Sequence, residues 1–60
     1  MRVEFVKNNE TILTLNEVQE LYVAESFIDV TCKEFEPEEG FYDLVVRVSY
    51  SDFDEYRIVE

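Results

Sequence analysis

The 60-residue chain contains no histidine, a single cysteine (Cys32), a single proline (Pro37) and a single glycine (Gly40). Without histidine, neither a Ser-His nor a Cys-His catalytic pair can be built, and the most common zinc ligands are missing. One cysteine cannot close a disulfide within the chain, and one glycine cannot form a P-loop or a dinucleotide-binding loop. The sequence therefore predicts a protein that is not an enzyme, with no catalytic residues, no cofactor and no metal.

Long apolar runs are also missing. The segment from Met1 to Phe5 lacks the hydrophobic core of a signal peptide, and no apolar run approaches the length of a membrane span. Small secreted domains usually depend on disulfides, which this chain cannot form by itself. We therefore expect a soluble protein in a reducing cytoplasm, without a membrane partner.

The chain is short, so residues 1–60 are expected to form one acidic domain. A chain of this length buries only about 60% of the surface that it exposes when unfolded, which leaves little net stability. Self-association or a dense core remain as sources of stability, and the 47% hydrophobic content with nine aromatic residues allows both. Of the two, we expect a homodimer.

Alternating apolar and polar residues predict β-strands along most of the chain. The clearest strand covers residues 42–50, and a second one covers 27–35. The segment from Glu36 to Gly40 holds the only proline and the only glycine, so we expect it to be the turn that joins these two strands as a hairpin. Because Phe41 and Val45 fall on the polar side of the long strand, that side is expected to be partly covered by another element or a second subunit.

The rest of the chain repeats the pattern. A first hairpin is predicted around Asn8-Asn9, and a short last strand beside the long one is predicted near Tyr56 and Ile58. Residues 16–25 fit a strand or a short helix, and the strand is favoured. The predicted fold is all-β, a small antiparallel meander of five to six strands that forms a curled sheet or small barrel, with one short helix near 16–25 as the alternative.

Acidity is the most pronounced property of the composition, with 15 Asp and Glu residues against 5 Lys and Arg and a formal net charge of -10. Such a surface disfavours direct contact with nucleic acid or anionic membranes, because both are bound through cationic side chains. The acids are spread along the chain, so the folded surface should be negative and should suit a protein partner with a basic surface. Glu34 and Glu36 lie two apart on a predicted strand, about 6.6 Å, which suggests mimicry of adjacent nucleic-acid phosphates.

The candidate protein-binding residues combine acids with phenylalanines near the predicted turns, where Phe35, Phe41 and Phe53 are the expected anchors. The complete set is Glu34, Phe35, Glu36, Glu38, Glu39, Phe41, Asp52, Phe53, Asp54 and Glu55. The competing interpretation is that the acids only maintain solubility and that the phenylalanines close the ends of the core. Calcium binding by the 52–55 segment is a weaker alternative, because the glycine of a calcium loop is missing there.

In size, charge and lack of histidine, the chain resembles the small acidic proteins with which phages and mobile elements inhibit host nucleases or defence systems; no signature motif is part of this likeness. It implies an anti-defence inhibitor or modulator that blocks a basic, nucleic-acid-directed protein, acting in the cytoplasm of a bacterial host. The alternative function is a structural or assembly module that joins copies or partners through strand edges or through Phe41 and Val45.

Overall fold

The computed structural model describes all 60 residues and contains six strands and one 3-10 turn. The strands form two antiparallel sheets of three, one in the order β2-β1-β6 and the other in the order β3-β4-β5. The elements are β1 (Arg2–Lys7), β2 (Glu10–Leu15), β3 (Val18–Val23), β4 (Phe27–Glu36), β5 (Gly40–Ser49), the 3-10 turn (Tyr50–Asp52) and β6 (Glu55–Val59). The structure contains no helical segment with the length and hydropathy of a transmembrane span.

The core lies between the two sheets and is formed mainly by the central strands. In β1 the buried side chains are Val3, Phe5 and Val6, and in β4 they alternate at 28, 30 and 32. This spacing of two follows from the strand geometry, which points successive side chains to opposite faces. The seven buried residues of the main cluster are Val3, Phe5, Val18, Ile28, Val30, Cys32 and Val48.

The two predicted hairpins are confirmed. Asn8 and Asn9 have φ values of 53° and 64°, so they form the two-residue turn between β1 and β2 that needs positive φ at both positions. Asparagine tolerates this conformation better than most residues. The predicted pairing of the strands at 27–35 and 42–50 is present as β4 and β5, with Phe27 opposite Ser49 and Glu36 opposite Gly40.

The all-β prediction is confirmed, and so is the strand over 16–25, because Val18–Val23 forms β3. A bulge explains the helix-like spacing there. Val18 lies opposite Cys32 and Glu20 opposite Thr31, so Gln19 is an extra residue in β3. The bulge turns both Val18 and Leu21 toward the core, three residues apart, which imitates a helical stripe.

The predicted position of the last strand was wrong. β6 does not lie beside β5; it pairs with β1, with Val3 opposite Ile58 and Phe5 opposite Tyr56. The 3-10 turn carries the chain from one sheet to the other, and Phe53 then packs on the ring of Phe5 with centroids 4.9 Å apart. As the central strand between β2 and β6, β1 buries Val3, Phe5 and Val6.

Candidate protein-binding surface

The β4-β5 hairpin extends beyond the core as an arm, defined here as residues 33–43. On the inner face of β4, the buried Ile28, Val30 and Cys32 are followed by Glu34 and Glu36 at the next two inward positions. Unpaired carboxylates cannot be buried at acceptable cost, so the sequence ends the core at Cys32. Every residue of the arm is exposed except the half-buried Gly40.

The tip of the arm is built from the residues that a tight turn needs. The Glu39 backbone N–H donates to the Glu36 carbonyl oxygen at 3.1 Å. Pro37 follows Glu36 at the second position of this turn, which favours the fixed φ of proline, and Gly40 begins β5 with a φ of 85°. The arm is therefore an ordered hairpin.

Two of the predicted anchors meet near the tip. Phe35 and Phe41 are directly opposite each other on β4 and β5, on the outer face of the sheet, and their ring centroids are 5.1 Å apart. Their relative exposures are 59% and 69%, so the pair contributes little to the core. Exposed aromatic pairs of this kind supply large contact area to a partner at low entropic cost.

Acidic side chains surround this aromatic pair. The arm contains five acids and one base, Lys33, whose Nζ lies 3.8 Å from Oδ1 of Asp43. The other four acids form no salt bridge. Glu34 and Glu36 share the inner face at the strand spacing of about 6.6 Å, as the sequence predicts. The arm thus combines an apolar anchor with an unneutralised negative field; its free acids are Glu34, Glu36, Glu38 and Glu39.

The second group of predicted residues lies elsewhere. Asp52 to Glu55 follow the opposite end of β5, about 30 Å along the strand from Gly40. Phe53 packs against the core, with Tyr50 and Phe5 as ring neighbours. The Asn8 backbone N–H donates to Oδ2 of Asp54 at 2.8 Å, which anchors the β1-β2 turn.

The candidate set is therefore divided. Residues 34–41 form one continuous surface, and residues 52–55 connect the two sheets at the far end of β5. For Phe53, the competing interpretation of a phenylalanine that closes the core holds. The three acids at 52–55 do not converge, because Glu55 pairs with Arg57 at 2.8 Å while Asp54 accepts from Asn8.

Sequence reasoning missed the free edge of β5. This strand is the outermost of its sheet, and Tyr42 and Leu44 are exposed on its inner face while Val45 is exposed on its outer face. No element of the chain covers Val45 or Phe41, so of the two kinds of cover predicted for this side, a second subunit is the one that stays a prediction. The signal available in the sequence was the presence of apolar residues on both faces of one strand.

Further along the outer face, Arg47 forms an ordered cluster. Its Nε and Nη2 donate to the two Asp29 carboxylate oxygens at 2.9 and 3.1 Å, and its guanidinium carbon lies 3.7 Å from the centre of the Phe27 ring. The hydrogen bond from Arg47 holds the pKa of the Asp29 carboxyl below its ordinary value, and the same bond raises the pKa of Arg47.

No nucleophile with an activating neighbour is present on these surfaces. Cys32 is buried, and burial raises the pKa of its thiol, with a further rise from the negative charge of Glu34. The structure has one open depression, at the chain termini, with mixed charges around it. Its lining residues are Met1, Arg2, Asn16, Glu17, Val59 and Glu60. No group of three acidic or sulfur side chains is arranged to hold a metal ion.

Comparison of the chain with known protein families, with curated proteins and with solved structures finds no match. Function is therefore inferred from the arm, the β5 edge and the distribution of charge.

Proposed function

We propose that the protein is a non-enzymatic, protein-binding inhibitor or modulator that docks its acidic arm into the basic cleft of a nucleic-acid-directed protein. The observation that carries this proposal is the arm itself, an ordered hairpin that projects from the core with an exposed Phe35–Phe41 pair among unpaired acids. Contact between the two rings stabilises the hairpin only modestly and leaves most of their surface in water, whereas a partner can bury both rings.

The charge of the arm supports a basic partner. Four carboxylates without a salt bridge create a local negative field that accelerates encounter with a positive groove and disfavours nucleic acid itself. The spacing of Glu34 and Glu36 is comparable to that of backbone phosphates, so the arm would compete with DNA or RNA for the same groove. The proposed role is that of a nucleic-acid mimic.

The proposed setting is the cytoplasm of a bacterial host, with the gene borne by a phage or mobile element and the partner a defence or nucleic-acid-processing protein. The free, buried Cys32 suits a reducing compartment. We also propose a homodimer, for which the free edge of β5 is the supporting observation. The same edge favours the second candidate function, an assembly module that acts through strand pairing.

Capture from a bacterial lysate with three baits tests the docking proposal. The baits are the wild type, an arm variant (Glu36→Lys, Glu38→Lys, Glu39→Lys) and a matched control (Glu10→Lys, Glu20→Lys, Glu25→Lys). All six positions are exposed, and both variants carry the same net charge. We expect the wild type and the control to retain a basic, nucleic-acid-directed protein that high salt or added heparin releases, and the arm variant to lose it.

Equal loss by both variants would instead mean that only total charge matters, and capture indifferent to salt would contradict the electrostatic account.

The aromatic anchor has its own pair of variants. Phe41→Ala should lower the affinity for the captured partner by roughly tenfold or more, which is the size of effect expected for an interface hot spot. Tyr22 is another exposed aromatic residue, and Tyr22→Ala should leave the affinity unchanged.

A further inference from the structure

The outer edge of β5 is an unprotected pairing surface. β5 has ten residues, and alternate backbone N–H and C=O groups point away from β4. None of the backbone hydrogen bonds outside the strand ladders, and none of the side-chain hydrogen bonds to backbone atoms, involves a residue of β5. These groups are therefore available to another strand.

The other three edge strands carry the features that prevent such pairing. β2 and β3 have only six residues each, and each contains a bulge, at Ile12 and Gln19 respectively. β6 has five residues, of which Glu55 and Arg57 are charged. β5 alone is long and regular in register, with no proline and no bulge. Bulges, short length and charge are the usual means by which proteins block edge pairing.

We infer that β5 pairs antiparallel with β5 of a second copy of this chain, about a two-fold axis that passes at Val45. Such a contact is isologous, so each residue i of one strand lies opposite residue 90 − i of the other. The result is one six-stranded sheet across the dimer. This inference deepens the homodimer proposed above and does not depend on docking by the arm.

The charges of β5 select this register. Asp43 and Arg47 are the only charged residues of the strand, and they share its outer face. With the axis at Val45, each Asp43 lies directly opposite Arg47 of the partner subunit, which gives two favourable cross-strand pairs. A two-fold axis at Asp43 or at Arg47 would instead oppose like charges, and any other axis leaves the two charges unmatched.

The apolar residues also match in this register. Leu44 lies opposite Val46 of the partner subunit, and Tyr42 lies opposite Val48 of the partner subunit, so two exposed apolar side chains of β5 meet apolar side chains that lie in or against the partner's core. Val45 faces its own copy on the outer face. The register thereby covers three of the exposed apolar side chains of β5.

Arg47 can bind a second carboxylate. A guanidinium has five N–H donors, and Asp29 takes two of them. The side chain remains 63% exposed although Phe27 and Asp29 hold it in place. Asp43 is also available to Arg47 of the partner subunit, because its only salt bridge, from Oδ1 to Nζ of Lys33, is 3.8 Å long and exposed.

Sedimentation velocity at physiological salt tests the interface. The wild type should sediment as a species with twice the mass of the chain. Val45→Lys should sediment as a monomer, because the variant would bring two ammonium groups together at the axis. Val23→Lys is the matched control, since Val23 is 54% exposed on the β3 edge and Val45 59% on β5. The control should remain dimeric. A monomeric wild type, or equal dissociation by both variants, would overturn the inference.

Charge exchange tests the register. Asp43→Arg alone and Arg47→Asp alone should each be monomeric, and an equimolar mixture should form a heterodimer, because both cross-strand pairs then have opposite signs. Should Arg47→Asp fail to fold, Val45→Cys provides the second measurement. Residues directly opposite each other in an antiparallel pair have Cα atoms about 5 Å apart, which a disulfide can span, so mild oxidation should yield a disulfide dimer, while Ser49→Cys should not cross-link.

A heterodimer that fails to form between folded variants, or equal cross-linking at both cysteine positions, would exclude the axis at Val45. The monomeric Val45→Lys keeps the acidic tip unchanged, so it should still retain the basic partner in the capture experiment. Failure of the dimer and failure of the docking proposal therefore give different results.

Discussion

At the scale of single residues, Cys32 illustrates how the fold limits chemistry. Its side chain is 1% exposed and the pKa of its thiol is raised, mainly by burial. We expect Ellman's reagent to modify the native protein at least about a hundredfold more slowly than the chain in urea, because the thiol must first be exposed by opening. Equal rates in the two conditions would mean that Cys32 is accessible in the folded state.

The same residue predicts a pH effect on stability. A raised thiol pKa means that the folded state retains the proton more strongly than the unfolded chain, whose thiol has a pKa of about 8.5. This contribution is complete below that pH and is lost as the pH rises further. Urea denaturation measures this effect. Between pH 7.5 and pH 9.5 the free energy of unfolding should decrease for the wild type, and it should decrease less for Cys32→Ala. An equal decrease in both proteins would mean that ionisation of Cys32 does not contribute to the pH dependence of stability.

Single residues also mark the limit of sequence-based reasoning. Phe35, Phe41 and Phe53 all flank acids near turns, and nothing local distinguishes them. Their environments differ because β6 pairs with β1, which brings Phe53 onto Phe5, whereas the Phe35–Phe41 pair lies beyond the last buried position of β4. That difference is set by tertiary pairing, which a local pattern does not contain.

At the scale of elements, the turn of the arm allows a clean substitution test. Gly40 has a φ of 85° and no atom within 4 Å of where a Cβ would stand, so only backbone strain opposes a side chain there. Gly40→Ala should lower the free energy of unfolding by about 1 kcal/mol, and Gly40→Asn by less, because asparagine tolerates positive φ. Urea denaturation measures both. An alanine variant as stable as the wild type would contradict the turn geometry.

Strands and hairpins could be predicted from the sequence because alternation and turn residues are local signals. Two features could not. The bulge at Gln19 brings Val18 and Leu21 to one face and so imitates helical spacing. The pairing of β6 with β1 joins the first and last strands of the chain, and no local pattern specifies such a pairing. For the candidate site, the acidic residues and the turn residues of the sequence were enough to predict the arm. The free edge of β5 could not be predicted, because it depends on the order of the strands in the sheet.

At the scale of the whole molecule, the net charge of -10 acts on every equilibrium. Self-repulsion should make the melting temperature rise as monovalent salt increases from about 10 mM, since screening shortens to about 8 Å at physiological strength. Differential scanning calorimetry across a sodium chloride series measures the effect. A flat melting temperature would mean that the acids are already balanced by their surroundings.

Salt also separates the two proposed associations. Two copies of an acidic chain repel each other, so dimerisation should strengthen as salt rises, whereas binding to a basic partner should weaken. Both trends come from one charge distribution, and they have opposite signs. The pairing of β5 leaves residues 36–40 beyond the end of the partner's strand, so the dimer would present two acidic tips.

We propose that the arm is the surface by which this protein binds its partner. Amide hydrogen exchange, compared between the free protein and its saturated complex with the purified captured partner, locates that surface directly. We expect exchange to slow across residues 34–42, on both sides of the Phe35–Phe41 pair. Protection confined to β2 and β6, with the arm exchanging as it does in the free protein, would contradict the claim.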